Sequence, residues 1–317
     1  MFGSPPLRHQ IVLLVLVAIG FALPPFVPEY YLFLLNSLMV WAALALGLDL
    51  LMGWSGQFAF AHMAFFGVGC YGTVILTKQL DLPFLLAMPG GALIAAVVGF
   101  LVAIPSTRLR SIYLALATFA FAEGARFVFN SWTGLTGGPD GLRIPTMTIA
   151  GWKMTSDRQV FPVLAIILAM LLFATQQIVR SRFGREMSAV RDSEHVAMAS
   201  GIDVRRVKVL AFTVSALYSG IAGGMYALIN SFINAQQFGM DGAVLALSMV
   251  VVGGMGSIPG VLIGVVLIGL LPVVLQTKLR SMQLWQELIY GVMLTLSVTF
   301  MPRGIWGAVT GALRGRR

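Results

Sequence analysis

Few side chains in this 317-residue sequence could do chemistry. Two carboxylates, Asp49 and Glu123, stand inside long apolar runs, and Gln57 and His62 follow shortly after the first. Polar and ionisable groups in such places are costly, and they mark either a solute path or an internal pair. Glu123 precedes Arg126 by three residues, so on one helix the two charges can neutralise each other. Glu123 also lies about 13 residues into its run, about 20 Å along a helix at about 1.5 Å per residue. A carboxylate at that depth could meet the ammonium group of a solute. His62 fits an internal hydrogen bond better than a path-lining role. No His, Cys, Asp and Glu cluster has the spacing of a metal site, and no nucleophile–base set stands out. None of the four lysines follows a glycine, so no Gly-Lys phosphate loop exists. The lone Cys70 sits in an apolar, glycine-rich stretch and reads as a packing residue.

The densest charge lies elsewhere. Between Arg180 and Lys208 stand Arg182, Arg185, Glu186, Arg191, Asp192, Glu194, Asp203, Arg205 and Arg206, with long apolar runs on both sides. From Glu186 to Ser200 the spacing predicts one short helix. Ala189, Val190, Ser193, Val196, Ala197 and Ser200 then share a smooth face of small side chains. Gly201 should stop this helix in a left-handed conformation, with Ile202 making the accompanying apolar contact. Asp203 should cap the next helix. A charged helix with one smooth face, set inside an apolar chain, suits a groove on a soluble partner, or else it is a solvated surface loop that follows the positive-inside rule.

These residues need a scaffold, and composition says which kind. Hydrophobic residues make up 58% of the chain and charged residues 10%, with a mean hydropathy of +0.89, whereas soluble domains carry about 25% charged residues. The excess is spread along the whole sequence, which predicts an all-α, polytopic helical bundle surrounded by lipid. Candidate spans fall at 11–27, 32–52, 58–77, 84–104, 110–130, 160–179, 209–230, 242–257, 259–276 and 285–301, about ten in all. Arg8 precedes the first run and Pro24-Pro25 follow it without a small-residue cleavage site, so it reads as a retained helix. With the N-terminus inside, Arg8, Arg108, Arg110, the seven basic residues of 180–208, Arg303, Arg314, Arg316 and Arg317 face the cytoplasm. Lys78, Arg126, Arg143, Lys153, Arg158, Lys278 and Arg280 then lie outside. That two-to-one bias places both termini in the cytoplasm. The net charge of +9 therefore reflects topology, and nucleic acid is excluded as a partner because no soluble module would carry it. The external stretch Ser131–Gln159 contains the turn-rich Thr136-Gly137-Gly138-Pro139-Asp140-Gly141. It is a connector, a cap, or a place where an external partner sits. Small residues at 67, 69 and 72, at 220, 223 and 224, and at 260 and 264 suit close helix packing.

The charged insert also carries a resemblance. Ala197 and Gly201, with three residues between them, resemble the Ala-x-x-x-Gly core of the loop by which ABC importer permeases meet their ATPases. The longer string Gly184-Arg185…Ala189-Val190-Arg191-Asp192-Ser193-Glu194…Ala197…Gly201-Ile202 looks more specifically like the branched-chain amino acid permeases, with His195-Val196 where the general motif has Glu-Ala. The run Leu48-Asp49-Leu50-Leu51-Met52-Gly53-Trp54-Ser55-Gly56-Gln57-Phe58, then His62 and Phe65-Phe66-Gly67, is similar to that family too. So is Gly253-Gly254-Met255-Gly256-Ser257-Ile258-Pro259-Gly260. Leu109-Arg110-Ser111-Ile112-Tyr113-Leu114-Ala115-Leu116…Phe121-Ala122-Glu123 resembles the M-type subunit, with Ser111 where the family has glycine.

The resemblance implies a single permease domain over 1–317, with a coupling loop at 180–208 and an external loop at 131–159. It implies no enzyme activity and no bound cofactor in this chain. ATP would be hydrolysed by two cytoplasmic ABC ATPases, alongside an H-type permease subunit and an external substrate-binding protein in the inner membrane. Gly184, Arg185, Ala189, Arg191, Asp192, Glu194, Ala197 and Gly201 would form the coupling contact. Asp49, Gln57, His62 and Glu123 would line the path of a branched-chain amino acid or a related small polar solute. The alternatives are an ion-coupled secondary transporter, a permease of the same family for urea or amides, and, more remotely, a membrane enzyme.

Overall fold

The computed structural model describes residues 24–25, 27–107, 109, 111–149, 152–278, 288, 291, 292, 295 and 304–307. The spans expected at 11–27 and 285–301, and the arginines at both ends, lie largely or wholly outside them. The architecture is helical. Among the described residues, the α-helices longer than one turn are, in chain order, α1 (Glu29–Asp49), α2 (His62–Leu80), α3 (Phe84–Ser106), α4 (Ser111–Ser131), α5 (Asp157–Arg180), α6 (Arg182–Asp192), α7 (Glu194–Ala199), α8 (Val204–Ile229), α9 (Met240–Gly253) and α10 (Ile258–Lys278). Among the described residues, five helical stretches are long and apolar enough to cross a membrane: Glu29–Trp54, Phe84–Ser106, Ile112–Ser131, Asp157–Arg180 and Val204–Ile229. Met240–Gly253 and Ile258–Pro272 are shorter apolar helices.

The helix ends follow local chemistry. Asp157 lies in the first turn of α5 and Arg180 in its last, each sign matched to the helix dipole. α2 ends where Asp81 turns left-handed at φ 50°. α1 does not end cleanly. It runs into a π-helical segment, Leu50–Trp54, a widened turn that often marks a functional site.

α8 sits centrally, packed on α1, α2 and α3. Glycine permits this. A Cβ added to Gly69 would stand 2.4 Å from the Cα of Gly220, so α2 and α8 meet backbone to backbone, as the small-residue spacing predicts. α9 and α10 form a hairpin against α1. Asn36 Nδ2 donates to Asp157 Oδ1 at 3.0 Å, joining α1 to the start of α5. α4 is the least buried of the five long helices. It is held by Phe129, whose ring lies 5.0 Å from Tyr71 of α2 and 6.0 Å from Phe238.

The loop 131–159 has more structure than a simple connector. Leu142–Arg143 pairs antiparallel with Phe232–Ile233, and Thr148–Ile149 with Trp152–Lys153. These two-residue ladders are a small β addition to the expected all-α fold.

A charged insert joined to a broken helix

The charged insert is two helices rather than one. Ser193 is extended, at φ −164° and ψ 116°, and its side chain accepts a hydrogen bond from Val196 N–H. Serine competes for backbone groups in this way, so the helix expected over 186–200 breaks into α6 and α7. The end of the insert forms as expected. Gly201 is left-handed at φ 79°. Its N–H bonds Met198 O and the N–H of Ile202 bonds Ala197 O, each at 3.0 Å, which is the Schellman pairing. Asp203 Oδ1 then accepts Arg206 N–H at 3.0 Å and starts α8.

The break also redistributes the smooth face. Val190 is buried and Ala197 is only 2% exposed, both turned into the core, while Ala189 and Ser193 are half-buried. Val196 and Met198 are 64% and 52% exposed. The outward apolar patch is therefore Val196 with Met198, not the six residues that helical spacing alone selects. Charges border it, with Arg185, Asp192 and Glu194 all exposed, and His195 is exposed beside them. Gly184 is buried where a Cβ would stand 2.2 Å from Val179 O. It lets α6 fold back against α5.

The inner side of the insert reaches the membrane helices through a compact joint. Arg191 Nη1 donates to Gly53 O at 2.7 Å, and its Nε and Nη2 both donate to Asp192 Oδ1 at 3.2 Å. Asp49 is 1% exposed. Its Oδ1 accepts Gly256 N–H at 2.7 Å and its Oδ2 accepts Trp54 Nε1–H at 3.2 Å. Gly256, at φ 74°, belongs to the turn between α9 and α10. A side chain at Gly53 has no room, since its Cβ would lie 2.1 Å from Asp49 Oδ1 and 2.3 Å from Gly256 N. Beside the joint, Gln57 Nε2 donates to Ser55 Oγ at 2.6 Å and to Lys208 O at 3.3 Å. Lys208 Nζ in turn meets Glu194 Oε1 at 2.6 Å. A cavity of about 120 Å³ lies between Gln57, Arg191, Glu194 and Lys208.

The structure thus brings Asp49, Gln57, Arg191 and Glu194 together and leaves His62 and Glu123 apart. His62 Nε2 lies 2.6 Å from Ser215 Oγ, whose own proton goes to Gly47 O at 2.6 Å. The imidazole must then be the donor. Glu123 Oε2 accepts both Nε and Nη2 of Arg126, at 2.9 and 2.6 Å. Glu123 remains 33% exposed on α4. Sequence reasoning missed Gly256 and Lys208 as members of the joint because only the fold brings them there, and Gly53 and Trp54 because their contacts depend on the π-helical turn.

A family model for the permease component of branched-chain amino acid transport systems matches residues 30–298. The chain belongs to this family. It is 30% identical over 322 aligned residues to the high-affinity branched-chain amino acid transport system permease protein LivM of Escherichia coli, covering 94% of this chain and 75% of that one. It is 26% identical to LivH of Salmonella typhimurium, covering 84% and 91%. The autoinducer 2 import system permease LsrC of Klebsiella pneumoniae is 27% identical over 64% of this chain and 58% of its own. No solved structure matches the chain. Family membership and the apolar helices make it a multi-pass permease of the inner membrane.

Proposed function

We propose that this chain is the M-type membrane subunit of an ATP-driven importer for branched-chain amino acids or similar small polar solutes. The observation that carries the reading is the two-sided insert. Its outer side shows Val196 and Met198 among charges, and its inner side is bonded to α1. An apolar pair exposed within a charged, capped turn is what an ATPase groove would take. Arg185, Asp192 and Glu194 would flank that contact, Arg191 would face inward to Gly53 O rather than join it, and Gly184, Ala189, Ala197 and Gly201 would shape the insert. Similarity to both LivM and LivH supports pairing with a related H-type subunit, together with two ATPases and an external binding protein. ATP would be used only by those ATPases.

The same reading treats 1–317 as one permease domain of about ten spans, with both termini and the loop 180–208 in the cytoplasm. The loop 131–159 would then be external. There a cavity of about 320 Å³, lined by Thr146, Ser156, Asp157 and Asn230, offers the binding protein a polar surface. Of the four polar residues considered for the solute path, Glu123 is the one whose side chain stays accessible. Asp49, Gln57 and His62 are committed to buried partners.

Reconstitution tests the proposal. The chain is placed in liposomes with its H-type partner, ATPases and binding protein, and solute uptake is measured. Uptake should require ATP and persist when ion gradients are collapsed. Uptake that follows a proton or sodium gradient without ATP would establish a secondary transporter instead. Offering leucine, urea and a short amide in parallel sorts the solute class.

A further inference from the structure

We infer that Arg191 is a positioning residue for transport, tying the insert to the broken end of α1, and that Asp49 passes the tie to the α9–α10 turn. The inference rests on the reading of the insert as the part an ATPase grips.

Chain continuity lets the insert pull on α5 and α8, which flank it in sequence. It gives no such hold on α1 or on the α9–α10 hairpin. The joint supplies one. The carbonyl of Gly53 is available because the helical ladder ends beneath it: Gly56 N–H turns back to Met52 O and Gln57 N–H to Leu51 O. Arg191 fills that vacancy with one N–H, while Asp192 fixes the rest of the guanidinium. An arginine fork suits the task because several donors act at once from a rigid plane.

The joint also lacks slack. A Cβ at Gly56 would stand 2.8 Å from Arg191 Cγ, and one at Gly256 would stand 3.4 Å from Arg191 Nη1. With the crowding at Gly53, three backbone segments touch at one point. Movement of α6 is then handed to α1 and to the hairpin without first being absorbed by side-chain rearrangement. Asp49 makes the second link of the chain, Gly53–Asp49–Gly256, from within α1 itself.

The test uses the complete importer in liposomes and three readouts: ATPase co-purification, ATP hydrolysis, and solute taken up per ATP. With Arg191→Ala, ATPase retention and hydrolysis should remain near wild type. Uptake per ATP should fall about tenfold or more, the scale set by losing a charge-assisted hydrogen bond. Arg191→Lys, which can still donate to Gly53 O, should restore much of it. Asp49→Ala should uncouple likewise, and the double variant should be no worse than either single one.

If Arg191→Ala loses the ATPases, Arg191 belongs to the grip itself and the relay is overturned while docking stands. If wild type never retains the ATPases, the docking reading fails and takes the relay with it. Wild-type uptake per ATP in Arg191→Ala overturns the relay alone. A second measurement covers a variant that fails to assemble. Cys70 is fully buried, so nitroxides can be placed at Arg182→Cys and Met255→Cys on the native background. Their separation should stay constant between nucleotide-free and nucleotide-bound importers. A change between those states would overturn the relay.

Discussion

At the residue scale, the polar groups of the membrane region divide by what they touch. His62 closes a chain through Ser215 to Gly47 O, which joins α1, α2 and α8 at their crossing. Ser215→Ala should leave His62 without its acceptor. That costs about 1–3 kcal/mol and should appear as a lower melting temperature of the purified chain in detergent, with no change in solute preference. Glu123 and Arg126 raise a different question, since their pair is partly exposed. If the pair serves only itself, Glu123→Gln and Arg126→Gln should impair uptake equally, and the double variant should be no worse. A solute-facing carboxylate predicts a larger loss in Glu123→Gln, seen as a raised half-saturation concentration in transport assays. The spacing of three made the pair readable in the sequence. The long-range partner of Asp49 was not readable, because Gly256 lies far along the chain and reaches the carboxylate only through the fold.

At the scale of elements, the insert shows where periodicity succeeds and fails. The stop at Gly201 and the cap at Asp203 were legible because both depend on nearest neighbours. The break at Ser193 was not legible, because serine fits a smooth helical face by size while its hydroxyl favours a cap. That one residue turns Ala197 inward and leaves Val196 and Met198 outside. Val196→Glu and Met198→Glu should therefore abolish ATPase co-purification while the chain still inserts and folds. Ala197→Arg should instead disturb the insert itself, giving a chain more sensitive to protease between Arg180 and Lys208. Ser193→Ala removes the α7 cap, at a cost of about 1 kcal/mol, and should weaken ATPase retention without eliminating it. The long spans were legible for a simpler reason: their apolar runs are long enough to cross a bilayer.

At the scale of the whole molecule, a tightly packed centre is surrounded by apolar flanks. α8 is mostly buried against its neighbours, whereas α4 presents Tyr113, Leu116 and Phe127 outward. Gly220 limits how the centre can change. Gly220→Leu should force α8 away from Ala92 and Ala95 of α3, whose atoms would already lie within 2.8 Å of a Cβ there. The expected result is loss of folded protein from the membrane fraction, measured by size-exclusion chromatography in detergent. A leucine at Gly124, where a Cβ meets nothing within 4 Å, should leave the isolated chain folded. It should still impair assembly if the face of α4 is covered by the H-type subunit.

The π-helical segment Leu50–Trp54 has a consequence for how such a protein can evolve. A π turn is an α-helix holding one residue more than its neighbours need. Substitutions leave that count unchanged. Loss of a single codon between 50 and 54 would let a regular helix re-form and would close the widened turn that leaves the Gly53 carbonyl free. Arg191 would then lose its acceptor at Gly53 O. This stretch should therefore tolerate exchanges of apolar residues far better than any change in its length, and a one-codon deletion library across 29–60 would reveal that asymmetry directly.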